Sequence, residues 1–189
     1  MRRADRRVAD ISAATARDRL LIAARRGETM VGGGDQLDAL LDLVGVLDRS
    51  GVPYALIGGI AVGIHSEVPR ATDDVDVAVP TATDLDALAE VLVTKGFQAR
   101  GRFVHSMNFR HPSGEPVQIA VDAGFDEMIE RAETIDVAGT AVRIVRKADL
   151  IETKQRAARD PARRKSKALR DQADAELLKG DVPEPDEGW

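Results

Sequence analysis

Residues 70–79 read Arg70-Ala71-Thr72-Asp73-Asp74-Val75-Asp76-Val77-Ala78-Val79, and the alternation from Thr72 onward is that of a β-strand. Side chains alternate across a strand, so Thr72, Asp74 and Asp76 share one face while Val75, Val77 and Val79 occupy the other. Two carboxylates this close on one face repel each other, and a strand beside a core seldom keeps them unless a cation neutralises the pair. Oxygen donors of this kind, in a chain with no Cys to offer sulfur, point to Mg²⁺ or Mn²⁺. The alternative reading is a pair of solvated acids on an exposed strand.

Two neighbouring segments bear on that choice. In Val117 to Val121 the apolar face is Val117, Ile119 and Val121, which puts Asp122 on the opposite face with Gln118 and Ala120. Asp122 is therefore a candidate third carboxylate, and three carboxylates on neighbouring strands can hold two metal ions about 3.5–4 Å apart. It is equally placed to start the loop before Gly124. Upstream, Leu56-Ile57-Gly58-Gly59-Ile60-Ala61 reads as a strand, a glycine pair and a helix start. Such a turn lets backbone N–H groups approach phosphate without obstruction by Cβ. It lacks the Gly-Lys-Ser/Thr of a Walker A loop, and Gly58-Gly59 with Gly63 misses the spacing of a dinucleotide site. Alone it would be a tight turn, but the acidic strand follows 13 residues later.

The rest of the 189-residue chain supplies a scaffold of mixed type. Leu37, Leu40, Leu41, Val44 and Leu47 recur at three and four, which predicts an amphipathic helix from Gln36 to Arg49 ended by Ser50-Gly51. Short strands are expected at Tyr54 to Ile57, Thr72 to Val79 and Val142 to Val145, with a hairpin pairing Phe103 to Phe109 with Val117 to Val121. Helices are expected at Ile60 to His65 and Asp84 to Thr94. Ala148 to Lys179 reads as two helices parted at Asp160-Pro161. The fold class is thus α/β in the α+β sense, a mixed sheet with flanking helices and a helical C-terminal part. The expected divisions are a helical lead-in over 1–34, a core over 35–146, the C-terminal helices over 147–180 and a frayed tail over 181–189.

Charge and composition narrow the function classes. Without Cys there are no disulfides, thiolate nucleophiles or cysteine zinc sites. No apolar run reaches the length of a membrane span, and the basic N-terminus leads into no apolar signal segment, so a cytoplasmic protein is expected. Residues 30–142 carry 18 acidic side chains against 7 basic, whereas residues 143–179 carry 12 basic against 6 acidic. An acidic centre suits a cation, and basic ends suit a polyanion such as nucleotide or RNA, the plainer reading being solvated helix faces. His65, His105 and His111 have no metal-ligand spacing and are read as structural or incidental. No strand-to-helix Gly-x-Ser-x-Gly elbow for Ser-His-Asp catalysis is present.

Gly58-Gly59 followed by Arg70-x-Thr72-x-Asp74-x-Asp76 resembles the motif of the DNA polymerase beta-type nucleotidyltransferase superfamily, most of all its AbiEii-like branch of toxin-antitoxin nucleotidyltransferases. The resemblance implies the nucleotidyltransferase-type mixed sheet, with Asp74 and Asp76 as ligands of Mg²⁺ or Mn²⁺ and Asp122 as a third. It implies Gly58 and Gly59 as the phosphate loop, and Arg70 and Thr72 near the nucleotide. Many members carry Gly-Ser where this chain has Gly58-Gly59, so here the loop offers backbone only. Lys154 and Asp171-Gln172-Ala173-Asp174 resemble the branch's C-terminal lysine and Asp-x-x-Asp. That likeness implies a catalytic set extending to Lys154, binding triphosphate, and to Asp171 or Asp174, orienting or deprotonating the acceptor. From the pattern alone, Lys154 lies on the apolar face of its helix, where a lysine either snorkels to water or crosses to a cleft.

The implied activity is metal-dependent transfer of NMP from a nucleoside triphosphate to an acceptor hydroxyl. RNA, such as a tRNA end, or a protein side chain is the acceptor that the toxin branch implies, and a cognate antitoxin protein is its partner. Two rivals stand beside it: an antibiotic nucleotidyltransferase, whose acidic cleft takes a cationic drug, and a nucleotide- or partner-binding module whose chemistry has decayed.

Overall fold

A computed structural model of the chain describes residues 10, 11, 13, 36–68 and 70–181. Most of the expected lead-in and of the tail lies outside the described residues. Elements follow in the order α1 (Gln36–Arg49), β1 (Ala55–Leu56), α2 (Gly58–Ser66), β2 (Val75–Val79), α3 (Leu85–Thr94), β3 (Gln98–Phe103), β4 (Ser106–Arg110) and β5 (Pro116–Val121). They continue as α4 (Ala123–Glu130), β6 (Glu133–Val137), β7 (Thr140–Ile144), α5 (Lys147–Arg159) and α6 (Lys165–Lys179). The strands form one seven-stranded mixed sheet in the order β3-β4-β5-β2-β1-β7-β6. β2 and β5 pair in parallel at its centre, β1 pairs antiparallel with β2 and parallel with β7, and the edges are the hairpins β3-β4 and β6-β7.

The apolar half of each alternation makes the core. Val75, Val77 and Val79 of β2, with Val117 and Ile119 of β5, are fully or nearly fully buried, as are Leu40, Leu43, Val44 and Leu47 of α1. α1 follows the predicted bounds, since its stripe at three and four has a sheet to cover. Asp84 starts α3 as expected, accepting the backbone N–H groups of Asp86 and Ala87.

Three differences from the sequence reading bear on the site. β2 begins only at Val75, so Thr72 and Asp74 lie on the bend entering the strand. α2 begins at Gly58 rather than Ile60. The expected hairpin pairs β4 with β5, while β3, α4 and β6 were not anticipated. β3, Gln98–Phe103, is exposed along almost its whole length and has no alternation to read.

The C-terminal helices belong to this body. α6 packs on both α5 and α2, and Leu178 and Ala175 on it are buried. Leu178→Ala is expected to lower stability by about 2–4 kcal/mol through lost burial and the cavity left behind. Urea unfolding with an unchanged midpoint would mean that α6 is not docked as described.

Candidate active site

The acidic strand and the glycine turn meet by backbone pairing. The Ile57 N–H donates to the Asp76 carbonyl at 3.0 Å, which sets Gly58 directly beside the Asp76 side chain. A Cβ on Gly58 would stand 1.9 Å from Asp76 Oδ2, and the φ of +69° there independently disfavours any side chain. A Cβ on Gly59 would fall 2.4 Å from both Thr72 Oγ1 and Arg70 Nη1. The space that a serine would need at Gly59 is thus already filled by a hydroxyl and a guanidinium. Both glycines open α2, a nine-residue helix whose N-terminal N–H groups and dipole favour an anion.

Around this turn lies a cleft of about 200 Å³ whose lining includes Gly58, Gly59, Arg70, Thr72, Asp74, Asp76, Lys154 and Asp171. It opens beside Gln118 and Lys154 into a further hollow of about 280 Å³ reaching Phe125, Thr153 and Ala157. Size does not pick out the chemistry. A larger hollow of about 630 Å³, between the α1-β1 turn and α3, is mainly apolar, and its one acid, Asp84, is the α3 cap.

The electrostatics of the cleft centre on Asp76. Burial and then the neighbouring Asp74 push its carboxyl up to about 7, against the opposing pull of Lys154, Arg70 and Lys167. Thr72 Oγ1 donates to Asp74 Oδ1 at 3.2 Å and orients that carboxylate. The cations are themselves held. Arg70 donates to Asp174 from Nε at 2.5 Å and from Nη2 at 3.1 Å. Lys154 Nζ lies 2.9 Å from Asp171 Oδ1 and 2.8 Å from Asp174 Oδ2, and Arg163 Nε donates to Asp171 Oδ2 at 2.6 Å. Asp171 and Asp174 stand three apart on one face of α6, with side chains only 4% and 2% exposed.

The structure therefore brings together Gly58, Gly59, Arg70, Thr72, Asp74, Asp76, Lys154, Asp171 and Asp174. Lys154 crosses to the cleft instead of snorkelling away. Asp171 and Asp174 are each clamped between two cations, which suits positioning better than deprotonation of an acceptor. Asp122 is a correction to the expected carboxylate triad. Its Oδ1 accepts the Gly124 N–H at 2.8 Å as the cap of α4, its Oδ2 faces His105 at 3.4 Å, and it lines a different hollow. In the parallel register of β2 and β5 the residue opposite Asp76 is Gln118. Among the described residues no cluster of three or more His, Cys, Asp or Glu could hold a metal ion.

Asp74 and Asp76 nevertheless fit a hard divalent cation as a pair, because two adjacent, half-buried carboxylates are a charge excess that such an ion relieves. Arg163, Lys167 and Arg170, which the sequence reading counts only within the basic segment 143–179, all line the cleft. A signal was present: Lys167, Arg170, Asp171 and Asp174 recur at three and four along α6, a polar stripe with helical period. His65 and His111 are structural as read, His65 bonding the Val145 carbonyl at 2.7 Å and His111 bonding Ser113 and Asp42.

No family model matches the sequence, and no curated protein matches it. Solved structures do match. The antibiotic-resistance factor ANT(2'')-Ia is 18% identical, with a TM-score of 0.56 over 77% of this chain and 85% of that one. The lincosamide antibiotic adenylyltransferase LnuA, in its lincomycin-bound structure, is 13% identical, with a TM-score of 0.54 over 76% of this chain and 96% of that one. The chain has the nucleotidyltransferase fold. The Megavirus polyadenylate synthase, at 14% identity and a TM-score of 0.50, also aligns with 79% of this chain, which spans only 33% of that protein. No described helix of this nucleotidyltransferase-fold chain is long and apolar enough to cross a membrane.

Two measurements test this geometry. Gly58→Ala is expected to destabilise the fold by at least about 1 kcal/mol, since it meets both a left-handed φ and the Asp76 carboxylate; unchanged urea unfolding would contradict the close approach. For Asp76, a carboxyl whose folded value is raised binds more protons folded than unfolded, so its contribution to stability falls as pH rises from about 4 to about 7. In EDTA, Asp76→Asn should melt above wild type at pH 8 and level with it near pH 4. A variant that melts lower at pH 8 would mean that Asp76 is not buried against a like charge.

Proposed function

We propose that this chain is a metal-dependent nucleotidyltransferase that moves NMP from a nucleoside triphosphate to an acceptor hydroxyl. The observation that carries it is the juxtaposition of the Asp74-Asp76 pair with a side-chain-free turn at a helix N-terminus. In that juxtaposition, a Cβ on Gly58 would fall on Asp76 itself. The fold shared with an adenylyltransferase supports the same reading.

Asp74 and Asp76 would hold Mg²⁺ or Mn²⁺, which when bound neutralises phosphate charge and orients the reacting groups. The Gly58-Gly59 backbone receives the phosphates, and Arg70 and Lys154 face them as fixed positive charges. Asp174 aims Arg70 and, with Asp171, aims Lys154, so the charges are in place before the triphosphate arrives. The acceptor oxygen bonds to the α-phosphorus as the bond to the β-phosphate breaks. The hydroxyl proton is released to solvent and pyrophosphate leaves.

For the acceptor we favour RNA, such as a tRNA end, over a protein side chain, in the setting of an AbiEii-like toxin with a cognate antitoxin. Arg163, Lys167 and Arg170 rim the cleft and Arg164 and Lys165 are exposed beside them, a set that suits a phosphodiester backbone. The second reading, antibiotic nucleotidylation, draws support from the resistance proteins that share the fold. The basic rim disfavours a cationic drug.

The test is incubation of the folded protein with each α-labelled triphosphate, Mg²⁺ and total RNA. Labelled RNA is expected, falling at least about 100-fold in Asp76→Ala. Asp174→Asn should mainly raise KM for the triphosphate, because it frees Arg70 and leaves Lys154 held by Asp171 alone, without removing either cation. No labelled acceptor under any triphosphate, or full activity in Asp76→Ala, would contradict the proposal. Growth arrest on expression that Asp76→Ala relieves would favour the toxin role, and drug resistance that Asp74→Ala abolishes would favour the second reading.

A further inference from the structure

Register places Asp76 of β2 opposite Gln118 of β5, and Gln118 opposite Asn108 of β4. Their neighbours Val75, Val77, Val117, Ile119, Met107 and Phe109 are buried on the other face, so Asp76, Gln118 and Asn108 form a row across three adjacent strands. Gln118 lines the cleft with Asp76 and Gly58. Asn108 Oδ1 is buried with no hydrogen-bond partner among the described residues. On β3 the residue opposite Asn108 is Gly101, which has no side chain to serve it.

A buried acceptor without a donor is costly, and a glutamine amide carries both an acceptor oxygen and a donor NH₂. A bond from Gln118 Nε2 would satisfy Asn108 Oδ1, and it would turn Gln118 Oε1 back toward Asp76. Charge makes the second point. Two carboxylates balance a single divalent ion; Asp122, the expected third, caps α4 and lines a different hollow, and Asp171 is already paired with Lys154 and Arg163.

We propose that Asp74, Asp76 and Gln118 hold one divalent ion, with Asn108 anchoring the Gln118 amide as a positioning residue. This rests on the metal-dependent reading above and replaces the three-carboxylate, two-ion expectation. Gln118 supplies an oxygen without charge.

Mn²⁺ titration of the full chain, followed by electron paramagnetic resonance without nucleotide, tests it. Wild type should bind one Mn²⁺. Gln118→Met, which keeps the side-chain volume, should weaken binding about 10-fold, and Asn108→Ala should weaken it by a smaller factor. Asp122→Asn should leave it unchanged, while Gln118→Asp should tighten the first ion and admit a second. Circular dichroism melts check that each variant is folded. Two Mn²⁺ ions bound by wild type, a folded Gln118→Met with wild-type affinity, or a loss in Asp122→Asn would each overturn this inference alone. Binding that is indifferent to Asp76→Asn would instead overturn the metal-dependent reading beneath it.

Discussion

Two like charges from one chain segment, kept side by side in one cleft, are the constraint around which the rest of this protein is arranged. Asp76 is half-buried beside Asp74, and desolvation and the like charge together raise its carboxyl to about 7. Glycine at 58 is the only residue that lets the turn close against it. The chain then surrounds the pair with Arg70 and Lys154, and it holds those cations with Asp171 and Asp174 from the last helix. Charge alternates outward from the carboxylates in layers, with the cations drawn from the segment before β2 and from α5 and the outer acids from α6.

This layering explains why a polar helix is needed to finish an apolar fold. α6 has little apolar stripe of its own, but Asp171 and Asp174 are among its most buried residues and each meets two cations. Buried ion pairs of this kind seldom add net stability, although breaking one partner away is strongly destabilising. What they provide is position. Arg70 and Lys154, both long and flexible, are fixed at defined places beside the glycine turn, so that little ordering remains to be done when an anion arrives.

The local features of the site were legible in the sequence, because they depend on neighbours in the chain. Alternation set Asp76 against Val75 and Val77, and the glycine pair marked the turn before a helix. Lys154 and the Asp-x-x-Asp were found through resemblance, and the geometry sets both aspartates against cations. What could not be read was register. Asp122 and Gln118 share a strand face, and which of them meets Asp76 depends on how β5 slides along β2, a quantity set by packing between segments far apart in the chain. Likewise β3 and β6 are polar edge strands held by pairing with their hairpin partners rather than by a pattern of their own. The cations of α6 were hidden because helical periodicity was sought among apolar residues only.

The most direct test of the account is a crystal structure of the chain with Mn²⁺ and a non-hydrolysable triphosphate analogue, using the anomalous signal of manganese to locate the ion. The account predicts a peak between the carboxylates of Asp74 and Asp76, with the phosphates against the Gly58-Gly59 backbone. A peak elsewhere, or the two carboxylates turned apart into solvent with the analogue bound away from the turn, would contradict it.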